Sequence, residues 1–69
     1  MTKIEKDDAE RIRMDARIAE DMMQRIQKET GKEMVGAYYI REKAREAKAC
    51  VDFILETVEE YINKQEEAE

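Results

Sequence analysis

Apolar residues, many of them alanine, recur alternately three and four positions apart in two runs of this chain. The first run is Ala9, Ile12, Ala16, Ala19, Met23 and Ile26; the second is Ala37, Ile40, Ala44, Ala47, Val51, Ile54, Val58 and Tyr61. A mean spacing of about 3.5 residues is the seam pattern of helices that pack along their whole length. Between the runs the same phase falls on Thr30 and Glu33, poor seam residues, in the segment ETGKE. The pattern is therefore interrupted where a turn can form.

The interruption also carries helix-start chemistry. Thr30 followed three residues later by Glu33 fits a capping box, and Thr2 with Glu5 repeats that spacing near the beginning of the sequence. Two starts imply two helices within one domain spanning residues 1–69: helix 1 over about 3–28, a turn at 29–31, helix 2 over about 32–65, and an acidic tail at 66–69. Gly31 is expected to give the turn its backbone freedom. Folding back there sets Ala19 against Ala44, Ala16 against Ala47, and Met23 against Ile40, while Ile12 and Ala9 meet Val51 and Ile54. Alanine layers would draw the helix axes toward the short end of the usual ~8–10 Å separation. The expected fold is all-α: a two-helix antiparallel hairpin, coiled-coil-like, dimerising into a four-helix bundle. One uninterrupted helix in a long coiled coil is the competing arrangement, because the phase does not slip across the turn. Gly31 and the polar seam positions Thr30 and Glu33 disfavour it.

Composition agrees with a helical chain, since Pro is absent and Gly occurs only at 31 and 36. At 69 residues there is room for one small core, so stability calls for help from oligomerisation or idealised packing. A single cysteine excludes an intrachain disulfide, and no apolar run suggests a signal peptide or a membrane span, which points to a cytoplasmic setting. Charge is uneven. Residues 1–31 carry seven Lys/Arg and eight Asp/Glu, residues 32–48 five and three, and residues 49–69 one and seven. A net charge of -5 argues against generic attraction to nucleic acid or to an anionic membrane.

Both helices have more apolar surface than one seam can bury. Ile4, Met14, Ile18 and Met22 lie off it on helix 1, and Cys50, Phe53, Leu55 and Ile62 on helix 2. Leaving a Phe, Leu or Ile side chain in water forgoes roughly 1.5–3 kcal/mol each. A second copy of the chain is the expected cover, giving a homodimer, with a heterologous protein partner as the other candidate. Tyr38 and Tyr39 follow Gly36 and combine an apolar ring with a polar tip, so they fit either packing over the turn or a binding anchor. Gly36 costs about 1 kcal/mol relative to Ala inside a helix, which suggests close backbone approach or a later helix start. The expected partner or dimer interface comprises Ile18, Met22, Tyr38, Tyr39, Phe53, Leu55 and Ile62.

Catalytic chemistry is not expected. With no histidine, Ser-His and Cys-His pairs are excluded, and Cys50 between Ala49 and Val51 reads as a small buried hydrophobe. Glu59 with Glu60 and Glu66 with Glu67 are adjacent in sequence, so on a helix neither pair converges on a metal. There is no phosphate loop, CxxC or calcium loop, and neither cofactor nor metal is expected. The functional expectation is a non-enzymatic protein-protein interaction module: an adaptor, inhibitor, assembly factor or partner chaperone. The alternative is an RNA- or DNA-binding helical-hairpin dimer that uses a central belt of Arg11, Arg13, Arg17, Arg41, Lys43, Arg45 and Lys48. Asp15, Glu20, Glu42 and Glu46, interleaved with those bases, favour surface ion pairing instead.

Overall fold

The computed structural model describes residues 3–68, which form two helices, α1 (Lys6–Thr30) and α2 (Ala37–Ala68), packed against each other as a hairpin. Its extents are 55 × 19 × 15 Å. One continuous helix over the same chain would approach about 95 Å at ~1.5 Å per residue, so the long coiled coil is excluded by dimension.

Local chemistry accounts for the ends of α1. Asp7 and Asp8 lie in its first turn and Lys28 in its last, each complementing the helix dipole. Glu5 is the cap residue, with extended backbone and no side-chain cap bond, and Thr2 lies outside the described residues. The second expected capping box does not form. Thr30 is the last residue of α1, and its hydroxyl donates to the Gln27 carbonyl at 2.7 Å. A threonine that bonds back to a carbonyl of its own helix is no longer available to cap the next one. The amides of Gly31 and Lys32 close the helix end onto the carbonyls of Lys28 and Glu29. Gly31 has φ -84, a conformation open to any residue, so the turn does not depend on glycine at this position.

The connection consequently occupies residues 31–36 instead of 29–31, and α2 begins at Ala37 instead of about 32. Gly36 precedes α2 and its carbonyl accepts the Ile40 amide at 3.1 Å, the first bond of the helix ladder. The later start leaves Gly36 outside the helix interior, where it would have been costly. At the other end, α2 continues to Ala68, through most of the expected tail.

The packing seam is turned from the one that apolar spacing indicates. Ile12, Ala19 and Ile26 face α2 as expected, but the alternating positions are Asp8, Asp15, Met22 and Glu29, while Ala9, Ala16 and Met23 are exposed. On α2 the seam includes Ile40, Ala47, Ile54 and Tyr61, joined by Gly36, Lys43, Cys50 and Thr57, while Ala37, Ala44 and Val51 are exposed. Polar side chains occupy seam positions because this interface is shallow and their functional groups find partners at its edge. The Tyr61 hydroxyl donates to Oδ2 of Asp8, the Thr57 hydroxyl donates to the Phe53 carbonyl at 3.0 Å, and Lys43 reaches Glu46 at 3.6 Å. Among the described residues the buried apolar side chains are Ala19 and Ala47, 9% and 7% exposed, and no large side chain is fully buried. The contacts of Glu29 with Gly36 and of Arg11 with Phe53 set the register between the helices and place Ala19 between the levels of Ala44 and Ala47. Ala47 is buried together with Ala19, whereas Ala44 is exposed.

Candidate protein interface

Two long sides flank the seam, and they differ in chemistry. One is polar and closed by contacts between the helices. There the Arg11 guanidinium lies 4.8 Å from the centroid of the Phe53 ring, and Tyr39 sits beside Arg25 in a shallow groove with Asp21, Gln24 and Lys28. Asp8, Arg11, Phe53, Thr57 and Tyr61 line a second groove farther from the turn. Arginine over an aromatic face gains electrostatic attraction as well as apolar cover. Phe53 and Tyr39 thus belong to the packing of the hairpin itself, and so does half-buried Met22, which sits in the seam.

The opposite side is apolar. Helix geometry places Ala9, Ala16 and Met23 of α1 next to Ala37, Ala44, Val51 and Val58 of α2 along this flank, with no charged residue in either row. Leu55 and Ile62 extend it outward on α2, since each lies one helical turn beyond Val51 or Val58. Met23 is 53% exposed and Leu55 52%. Periodicity assigns most of these positions to the hairpin seam, so the same residues keep their apolar logic but present it to the outside. Of the expected interface residues, Leu55 and Ile62 lie on this flank. Ile18 is exposed on the opposite side. Tyr38, 78% exposed, points outward near the turn with Met34 and Val35 and carries the Arg41 guanidinium 4.9 Å from its ring centroid.

The proposed basic belt does not converge. Arg17 and Arg45 each lie on the outermost face of their own helix, so they point in opposite directions. Lys43 is largely covered, lies 5.5 Å from the Tyr39 ring centroid and pairs with Glu46. Lys48 pairs with Asp52 at 2.8 Å, and this bond raises its pKa. Arg11 and Arg41 are committed to aromatic rings, and Arg13 is exposed on the rim of the apolar side.

Glu29 is the most covered charged residue of the described chain, 8% exposed. Its Oε1 accepts from the Lys32 ammonium at 2.9 Å, and its Oε2 accepts the Gly36 amide at 3.0 Å. The Lys32 hydrogen bond and then the Gly36 amide hold its carboxyl below the usual carboxylate pKa. A carboxylate at the start of α2 also faces the positive end of that helix dipole. Sequence spacing missed this cap because the carboxylate comes from the preceding helix, seven positions back. The clue available was a glycine placed where a helix would tolerate it only at its edge. At the open end, the hydrogen bond to Asp8, followed by burial, pushes the Tyr61 hydroxyl upward in pKa.

Among the described residues no group of three or more His, Cys, Asp or Glu could hold a metal, and no helix is long and apolar enough to cross a membrane. No family model, curated protein or solved structure matches this chain.

Proposed function

We propose that this chain works by protein-protein contact through its apolar flank, and that the occupant of that flank is a second copy, which completes a four-helix bundle. The observation that carries this reading is the imbalance of burial. The hairpin covers two alanines as its apolar core, while Met23, Val51, Leu55 and Ile62 stand exposed on one side. Helix pairs need a second layer to bury such a stripe, and an apolar flank without charges is what a bundle core requires. The assembled bundle is a non-enzymatic scaffold, suited to adaptor, inhibitor or assembly roles, and free Cys50 suits a reducing, cytoplasmic setting. The scattered directions of the basic residues give nucleic-acid binding no comparable support.

Light-scattering chromatography tests this directly. Wild type should run as a dimer at micromolar concentration. Leu55→Asp should shift it to a monomer, because an unpaired carboxylate resists burial in an apolar contact. Exposed Glu56→Asp should remain dimeric. A well-folded wild-type monomer at that concentration would refute self-association.

A further inference from the structure

We infer that the second copy docks head to tail, the turn of each hairpin lying beside the open end of the other. This rests on the self-association proposed above and adds its geometry. The single chain exposes 5979 Å² of surface. A compact protein of its 8.2 kDa would expose about 4,500 Å², leaving roughly 1,400 Å² of excess. A standard interface takes about 800 Å² from each partner, so the excess accommodates one such contact per chain.

Charge along the hairpin decides the orientation. The turn half, residues 16–48, holds eight Lys/Arg and six Asp/Glu; the open half, residues 3–15 and 49–68, holds five and eleven. Two copies packed turn beside turn would bring the two acidic halves together. Turn beside open end instead sets each basic half against an acidic one, an attraction that added salt weakens. A two-fold axis that crosses the apolar flank at its midpoint, near Ala16, produces this pairing. It lays α1 over the partner's α1 and α2 over the partner's α2, and its level is set by the chain's own register. Ala9 then lies level with the partner's Met23, and Ala44 between the levels of the partner's Val51 and the partner's Leu55, so small side chains receive large ones. Ala16 lies next to its own copy, where two alanines permit close approach.

The test uses cysteine placement in a Cys50→Ala background, with dimerisation first verified by light scattering. Spin labels on Glu33→Cys, in the exposed connection, should report an intermolecular distance of about 50 Å, close to the length of the rod. Ala16→Cys should oxidise to a covalent dimer. In a verified dimer, a label distance below about 25 Å together with no Ala16→Cys cross-link would overturn the head-to-tail arrangement while leaving self-association intact. A monomer in the first measurement would overturn both.

Discussion

Gly36 donates its backbone N–H to Oε2 of Glu29 at 3.0 Å, so the last turn of α1 caps the first turn of α2. A Cβ built on Gly36 would lie 3.2 Å from that same oxygen. Gly36→Ala should therefore crowd the cap and also replace a tolerated cap residue with a poor one, for a loss of about 1 kcal/mol in urea unfolding. Gly31→Ala is the control: its Cβ would meet nothing closer than the Lys28 carbonyl at 3.5 Å, and its backbone is in the ordinary helical region. That substitution should be neutral or stabilising. Equal losses at the two glycines would show that the cap contact is not what requires glycine at 36.

The same carboxylate predicts an acid dependence. Lys32 and the Gly36 amide hold the Glu29 pKa below its ordinary 4.5. A depressed folded pKa means that Glu29 contributes stability above its unfolded pKa, and that this contribution falls away as pH drops through the folded value. Melting temperature should fall on acidification below about pH 4.5, and Glu29→Gln should be less stable at pH 7 yet lose less between pH 5 and pH 3. Parallel pH curves for the two proteins would contradict the assignment.

Tyr61 predicts the opposite limb. Its hydroxyl donates to Asp8, which raises the phenol pKa above 10.0. The contribution is complete below the unfolded pKa and is lost as pH rises through the folded one. Tyr61→Phe should lower the melting temperature at pH 7 and flatten the fall in stability above pH 10. Ultraviolet titration of the phenolates should show one tyrosine ionising late in wild type.

The buried alanines predict the cost of crowding. Ala19→Leu and Ala47→Leu add volume where the helices meet most closely and should each destabilise by about 1–3 kcal/mol. Ala49→Leu, on an exposed outer face, should cost little. Ala16 distinguishes this seam from the one that apolar spacing indicates: Ala16→Leu should leave the helix content of the hairpin intact, because Ala16 does not face α2, and its cost should appear as weaker self-association. Circular dichroism melts decide the ranking.

Helix content, the hairpin and the location of its interruption were legible in the sequence, because Ile12, Ala19, Ile26, Ile40, Ala47 and Ile54 belong to the seam in either arrangement. The rotation of the seam was not legible. Periodicity treats Asp8, Asp15, Lys43 and Thr57 as surface residues, yet an interface one layer deep leaves each side chain an edge to reach. The pairings of Asp8 with Tyr61 and Arg11 with Phe53 depend on a register that a repeating pattern leaves free by several residues. Thr30 and Glu33 matched a cap by spacing alone. Competition from the Gln27 carbonyl and from Glu29 settled the boundary differently.

The shortness of the link between Glu29 and Gly36 also sets the order in which the molecule comes together. A loop of this size closes in roughly 10–100 ns and with little loss of chain entropy, whereas Asp8 and Tyr61 are 53 positions apart. The hairpin should zip from its turn toward its ends. Substitutions near the turn should then slow folding, and substitutions at the open end should mainly hasten unfolding, two arms of one chevron assigned to two ends of one rod.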